Sequence, residues 1–277
     1  MVSIYVGSGA GTYNSDLVKS QVDGINTQGN GNEKVAVNAA TGNLIVKNID
    51  ENLIGAGINT AVLRTYNLHG EFDQDNDDNW RIGFYKRVHD HSVGNYVWKT
   101  NADGSQTKYN YDSDTQKYIE EDTGAGASAT LSLSGNSWTW TSAQGDVTET
   151  YNASNGRLEN IATRAGETTT YSYSNGLLTE VNEDWAGGQT TSFTYDGNQL
   201  QKISIETYER NDDGSANTAN PITQTITSYA YDTQGRLHLV TTDLTPENTT
   251  DTEVYTTIYT YDGISDRISS ISQTDNT

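Results

Sequence analysis

A tyrosine, then an acidic or small polar residue, a turn and an apolar return: this pattern recurs six times along the 277-residue chain. The fullest copy runs Tyr229-Ala230-Tyr231-Asp232-Thr233-Gln234-Gly235-Arg236-Leu237-His238-Leu239-Val240. The others centre on Tyr111-Asp112, Tyr151-Asn152, Tyr173-Ser174, Tyr195-Asp196 and Tyr261-Asp262. Internal repetition constrains architecture ahead of any single motif, because a unit this small buries its apolar face only against its neighbours. In Tyr171-Ser172-Tyr173, Tyr229-Ala230-Tyr231 and Tyr259-Thr260-Tyr261 the rings stand two residues apart, on one face of a strand. Asp or Asn at the strand end suits bonding to turn amides, and Gly takes the positive φ that closes the turn. Leu158 to Ile161 and Leu178 to Val181 then re-enter the sheet. The key tyrosines 111, 151, 173, 195, 231 and 261 are separated by 40, 22, 22, 36 and 30 residues, so loops absorb a loose period. The longest of these, Asn211 to Pro221, reads as polar and exposed.

Composition agrees with a sheet. Eighteen Tyr stand against three Phe, and Tyr suits a half-buried sheet face because its ring is buried while its hydroxyl stays wet. Thr is abundant and only two Pro occur, which favours strands. Asp103-Gly104, Asn155-Gly156, Asn175-Gly176, Asp196-Gly197 and Asp262-Gly263 are hairpin-turn dipeptides. The formal net charge of −21 repels phosphate backbones and anionic membranes, so no nucleic-acid partner is expected. The absence of cysteine excludes disulfides, thiol catalysis and Cys-ligated zinc. No apolar run reaches the length of a membrane span, and the start Met1-Val2-Ser3-Ile4-Tyr5-Val6 has no signal-peptide pattern.

Three stretches of one continuous all-β architecture are expected. Residues 1–33 read as a flexible polar, glycine-rich lead. Residues 34–146 read as an opening β segment, including a hairpin of Tyr96-Val97-Trp98-Lys99 with Gln106-Thr107-Lys108-Tyr109 and an alternating strand at Ser137-Trp138-Thr139-Trp140-Thr141. Residues 147–277 read as the repeat ribbon. The chain stops directly after a repeat, and an open sheet edge invites pairing, so a fragment whose repeats continue is expected.

The core Tyr231-Asp232-Thr233-Gln234-Gly235-Arg236-Leu237 resembles the YD repeat of bacterial RHS proteins, large polymorphic toxins related to toxin-complex C components and to animal teneurins. Ala40-Thr41-Gly42-Asn43-Leu44, Arg64-Thr65-Tyr66-Asn67, Trp80-Arg81-Ile82-Gly83 and Ala102-Asp103-Gly104-Ser105 resemble, in order, the segment that opens an RHS region. The resemblance covers roughly residues 34 to 277. It implies YD-repeat hairpins forming a long curved antiparallel β-ribbon, part of an RHS-type β-shell that encloses a C-terminal toxin segment. The Asp-Pro-x-Gly motif at which family members cleave themselves is missing, and no variable toxin domain follows.

Candidate chemistry is sparse. Asp73-Gln74-Asp75-Asn76-Asp77-Asp78 places acids at alternate positions, but positions six and twelve of a calcium loop, Gly and Glu, are Asp78 and Phe84 here, so a solvated acidic loop is the reading. His89-Asp90-His91 offers two imidazoles without a third ligand at useful spacing. No Gly-x-Ser-x-Gly elbow exists. Trp80, Trp98, Trp138, Trp140 and Trp185 suit the sheet core, and would stack sugars if exposed. No catalytic, cofactor-binding or metal residue is therefore assigned, and no cofactor or enzyme activity is expected. The expected role is a structural shell segment of a large exported bacterial protein, secreted or at the cell surface, whose partner is a C-terminal passenger of the full-length protein or other shell segments. The alternative is a surface adhesin that binds carbohydrate or protein through exposed aromatics.

Overall fold

The computed structural model describes residues 3–5, 34–38, 43–52, 61–68, 78–90, 95–102, 104, 106–121, 128–184, 188–211, 216–243, 245–248, 250 and 253–275. These residues form strands and turns, with no helix among them. A first sheet contains β1 (Ser3–Tyr5), β2 (Lys34–Asn38), β3 (Leu44–Asn52), β4 (Ala61–Asn67) and β5 (Trp80–Ile82), in that order. A second sheet has sixteen strands and opens with β6 (Arg87–Asp90), β7 (Tyr96–Thr100), β8 (Gln106–Asp112), β9 (Lys117–Glu120) and β10 (Thr130–Ser134). It continues with β11 (Ser137–Thr141), β12 (Val147–Asn152), β13 (Leu158–Thr163), β14 (Thr168–Ser174), β15 (Leu177–Asp184) and β16 (Gln189–Asp196). The last strands are β17 (Gln199–Arg210), β18 (Ala216–Tyr231), β19 (Leu237–Asp243), β20 (Val254–Tyr261) and β21 (Ile268–Asp275). Each strand of the second sheet pairs only with its sequence neighbours, all antiparallel, so the sheet is one unbroken meander and does not close into a barrel.

The repeat is a bulged hairpin. Five times the tyrosine at the strand end sits opposite Leu or Ile, and the register shifts between it and the residue before it. The pairs are Tyr151↔Leu158, Tyr173↔Leu178, Tyr195↔Leu200, Tyr231↔Leu237 and Tyr261↔Ile268. A bulge adds local twist and bends the strand, so its repetition at one position curves the ribbon in one sense. The hairpin of β8 and β9, at Tyr111, pairs without such a shift. Leu158, Leu178, Leu200 and Leu237 are all buried, each burial contributing about 1.5–3 kcal/mol.

The fullest repeat shows what each residue type does. Asp232 accepts from the amides of Gln234 and Arg236, and Gly235 closes the turn at φ 84°. The Arg236 guanidinium pairs with Asp232 at 2.6 Å, lies 4.3 Å from the Tyr261 ring centre, and donates to the carbonyls of Gly263 and Ser265. Arginine thus ties one turn to the next. Tyr231 and Tyr261 donate backwards to the Leu200 and Leu237 carbonyls at 2.9 and 2.6 Å.

Period-2 alternation extends this into three rows on one face. They read Thr169-Tyr171-Tyr173, Thr191-Phe193-Tyr195, Thr227-Tyr229-Tyr231 and Thr257-Tyr259-Tyr261, counting every second residue. In the earliest bulged copy the same positions are Val147, Glu149 and Tyr151. The first sheet covers the aromatic rows of the later copies. Val62, Tyr66, Trp80 and Phe84 share one core with Leu178, Phe193, Ile203, Tyr229 and Tyr259. Trp80 lies 4.7 Å from the Tyr259 ring, and Phe84 meets Phe193 edge-on at 5.4 Å, the geometry that aromatic quadrupoles favour. A second core holds Val97, Tyr109, Leu131, Trp138, Tyr151 and Leu158 under the earlier strands.

The sheet curls far enough for its first strand to meet a later turn. Val88 N donates to Gly156 O at 2.9 Å, and Arg87 bridges Arg157. A β-carbon on Gly156 would stand 2.1 Å from Val88 O, at a φ of 74°, so only glycine fits this closure.

Some expectations change. Within the segment 1–33 expected as a lead, Ser3–Tyr5 pairs in parallel with β2, and the rest lies outside the described residues. The connection Asn211 to Pro221 is not a loop throughout, since residues 216–221 belong to β18, which is sixteen residues long. The span 34–146 is divided by a change of sheet between Ile82 and Arg87. Nor are the tyrosine hydroxyls simply wet: those of Tyr66, Tyr229, Tyr231, Tyr259 and Tyr261 all bond to protein groups.

Candidate functional site

Two charged knots interrupt the inner face. The first lies between the sheets. Arg64, on β4, is fully buried; it chelates Asp50 at 2.7–3.1 Å and donates to Tyr259 Oη at 2.6 Å. Its guanidinium lies 4.7 Å from the Trp80 ring centre. Asp50 also accepts from Tyr229 at 3.0 Å. Burial works against the Arg64 charge, but Asp50 overrides it and holds the guanidinium more firmly protonated than usual. Burial, reinforced by Asp50, pushes the Tyr229 phenol well above its ordinary value. Nearby, Trp80 Nε1 donates to Tyr261 at 3.1 Å, Tyr85 and Tyr195 share a 2.5 Å hydroxyl contact, and Tyr66 donates to the Asp266 carbonyl. A cavity of about 10 Å³ beside Arg64, Asp78 and Tyr229 has room for one water and no organic substrate.

The second knot arises where the repeat departs from its own pattern. Glu149 occupies the row that Tyr171, Phe193, Tyr229 and Tyr259 fill in later copies. A buried carboxylate needs partners, and three reach it: Lys86 at 2.6 Å, Lys99 at 3.1 Å and the Tyr151 hydroxyl at 2.5 Å. Burial alone would raise its pKa, but the two ammonium groups and these bonds hold it down at about 2. Lys99 is lowered chiefly by burial, which exceeds the attraction of Glu149, while Lys86 adds repulsion. The opposite leanings have one cause: a single carboxylate serves two cations, and Lys86, the less buried, neutralises it. Trp140, the cross-strand partner of Glu149, carries Lys99 on its ring face at 4.5 Å and donates to Tyr109 at 2.8 Å.

The residues singled out from sequence have other roles. Asp78, the last of the acidic run, is buried and accepts from the amides of Trp80 and Leu237, joining the two sheets; it is not part of a solvated loop. Asp73 to Asp77 lie outside the described residues. His89 bonds Thr100 at 2.9 Å, and His91 lies outside them. Trp80 and Trp138 are buried, Trp98 and Trp140 half-buried, and Trp185 lies outside. Among the described residues no group of three or more His, Asp or Glu is placed to hold a metal ion. Asp50, Arg64, Lys99 and Glu149 were not candidates from sequence; the break at Val147-x-Glu149-x-Tyr151 in the row pattern is the one signal that marks Glu149.

No protein-family model matches the chain. No curated protein matches it either. Among solved structures it is similar to a mutant form of the Photorhabdus luminescens Tc holotoxin pore, with 12% identity and a TM-score of 0.26 over 88% of this chain. That match spans 15% of the other chain.

Proposed function

We propose that this chain is a structural segment of an RHS-type shell: a non-enzymatic ribbon within a large exported bacterial protein that encloses or carries a passenger. The observation that carries this reading is the bulged Tyr↔Leu/Ile pair in five successive hairpins. It gives a ribbon that bends one way, with an aromatic inner face and a polar outer face. Such a wall acts by containment. Its backbone groups are used between strands, which leaves little for a protease to bind, and its side chains exclude water from the concave side. The sequence resemblance to RHS regions supports the same reading. The acidic surface suits a secreted or cell-surface protein by favouring solubility.

The adhesin alternative needs aromatic rings facing solvent. Trp80 and Trp138 are buried instead, and the repeat tyrosines other than the exposed Tyr111 pack into the cores. A glycan-array screen of the purified chain tests the choice. The shell reading predicts no saturable binding. Saturable binding that Trp98→Ala or Tyr111→Ala abolishes would replace it with the adhesin.

A further inference from the structure

In the second knot Glu149 and Lys99 are paired out of water, and Lys86, partly exposed, is a second cation on the same carboxylate. Lys99 and Glu149 are 4% and 3% exposed. Lys99 Nζ lies 3.1 Å from Glu149 Oε2 and donates to the side-chain carbonyl of Asn101 at 2.9 Å. Asn101 Nδ2 in turn donates to Thr107 Oγ1 at 3.1 Å, and Thr107 is the cross-strand partner of Lys99. The Lys99 amine, on the Trp140 ring face, thus stands within hydrogen-bond reach of both a carboxamide and a carboxylate. We propose that Lys99 and Asn101 join through an intramolecular amide bond, with Glu149 as the catalytic proton carrier.

Glu149 takes a proton from the Lys99 ammonium, an uphill transfer because its partners hold the carboxyl low, leaving a transient neutral amine. With Asn101 turned about its Cβ–Cγ bond, the Nζ lone pair attacks Cγ and the carbonyl π pair moves onto Oδ1. The oxyanion collapses, the Cγ–Nδ2 bond breaks, and the second proton leaves Nζ through Glu149. Both protons pass to the departing nitrogen, which leaves as ammonium. Glu149 ends ionised, as it began, and no oxidant or outside reactant is consumed.

Three features of the site favour the step. Desolvation activates a lysine nucleophile by weakening its hold on the proton, and burial lowers Lys99 in this way. Fixing amine and carboxamide in contact supplies a high effective concentration. The product also removes a buried ammonium group, leaving Glu149 paired with Lys86 and Tyr151.

Mass spectrometry of the purified chain tests this. The expected intact mass is below the sequence mass by about 17 Da, that of the ammonia lost in an acyl transfer to nitrogen. After denaturation Lys99 is expected to resist both amine acylation and tryptic cleavage. Asn101→Ala should restore the sequence mass and a reactive Lys99. A wild-type chain at full mass with Lys99 acylated overturns the proposal. So does the same mass deficit located in a succinimide at Asn101 with Lys99 reactive. The wild-type measurement decides the matter whether or not Glu149→Gln, expected to block the reaction, folds.

Discussion

Raising the pH above 10 is expected to unfold this protein in one steep step. The phenols of Tyr66, Tyr109, Tyr151, Tyr171, Tyr173, Tyr229 and Tyr261 are all pushed above the ordinary tyrosine value, in each case first by burial. The folded state therefore binds these protons more tightly than the unfolded chain does. Their stabilising contribution is complete below pH 10, the ordinary value, and is lost as pH climbs toward the raised ones. One tyrosine forfeits about 1.4 kcal/mol per pH unit in that range. Seven would forfeit about 10 kcal/mol by pH 11, as much as a typical domain's whole net stability. Even half of that, allowing for the half-exposed rings, is a large effect. Phenolate absorbance and β-sheet circular dichroism, followed together, should change at one pH. Tyrosines that ionise smoothly with an ordinary midpoint while the dichroism stays constant would show that the rings do not line an interior.

Breaking the knot between the sheets should be comparably costly. Arg64→Met leaves Asp50 buried, its side chain 2% exposed, with only Tyr229 and water to satisfy it. Removing one partner of a buried ion pair costs about 3–5 kcal/mol, because the other charge stays stranded. Asp50→Leu should cost a similar amount for the mirror reason. The double variant Asp50→Leu/Arg64→Met removes both charges and should lose much less than the sum. Urea denaturation of the four proteins gives the coupling energy, expected at about 2 kcal/mol or more, the upper part of the range for contacting residues. Additive losses, or single losses under about 1 kcal/mol, would mean that the first sheet does not dock through this pair.

The ribbon was legible in the sequence because its information is local. Alternation at Tyr229-x-Tyr231, a turn acid at Asp232, glycine at Gly235 and the return at Leu237 specify a bulged hairpin within about a dozen residues. The Arg236 clamp on the next turn reaches across 29 residues to Ser265, and only its place in the repeat core hints at it. The change of sheet between Ile82 and Arg87 was not legible, since Trp80-Arg81-Ile82 and Arg87-Val88 both read as strand and what separates them is docking, not propensity. The buried acids were hidden for the same reason. Asp50, Asp78 and Glu149 look like surface carboxylates, and their partners Arg64, Leu237 and Lys99 lie 14, 159 and 50 residues away. Asn211 to Pro221 read as a loop because it is polar, yet Pro221, in β18, pairs with Tyr208 of β17 beside a register shift.

The central claim is that the tyrosine rows form an interior roofed by the first sheet, and amide hydrogen exchange of the native chain tests it most directly. Residues exchange together when they open together. If β4 roofs β18 to β20, the amides of Ala61–Asn67 should be protected to the same extent as those of Tyr229 and Tyr259, and Arg64→Met should release both groups in parallel. Rapid exchange of Ala61–Asn67 beside a fully protected β18 to β20 would contradict it.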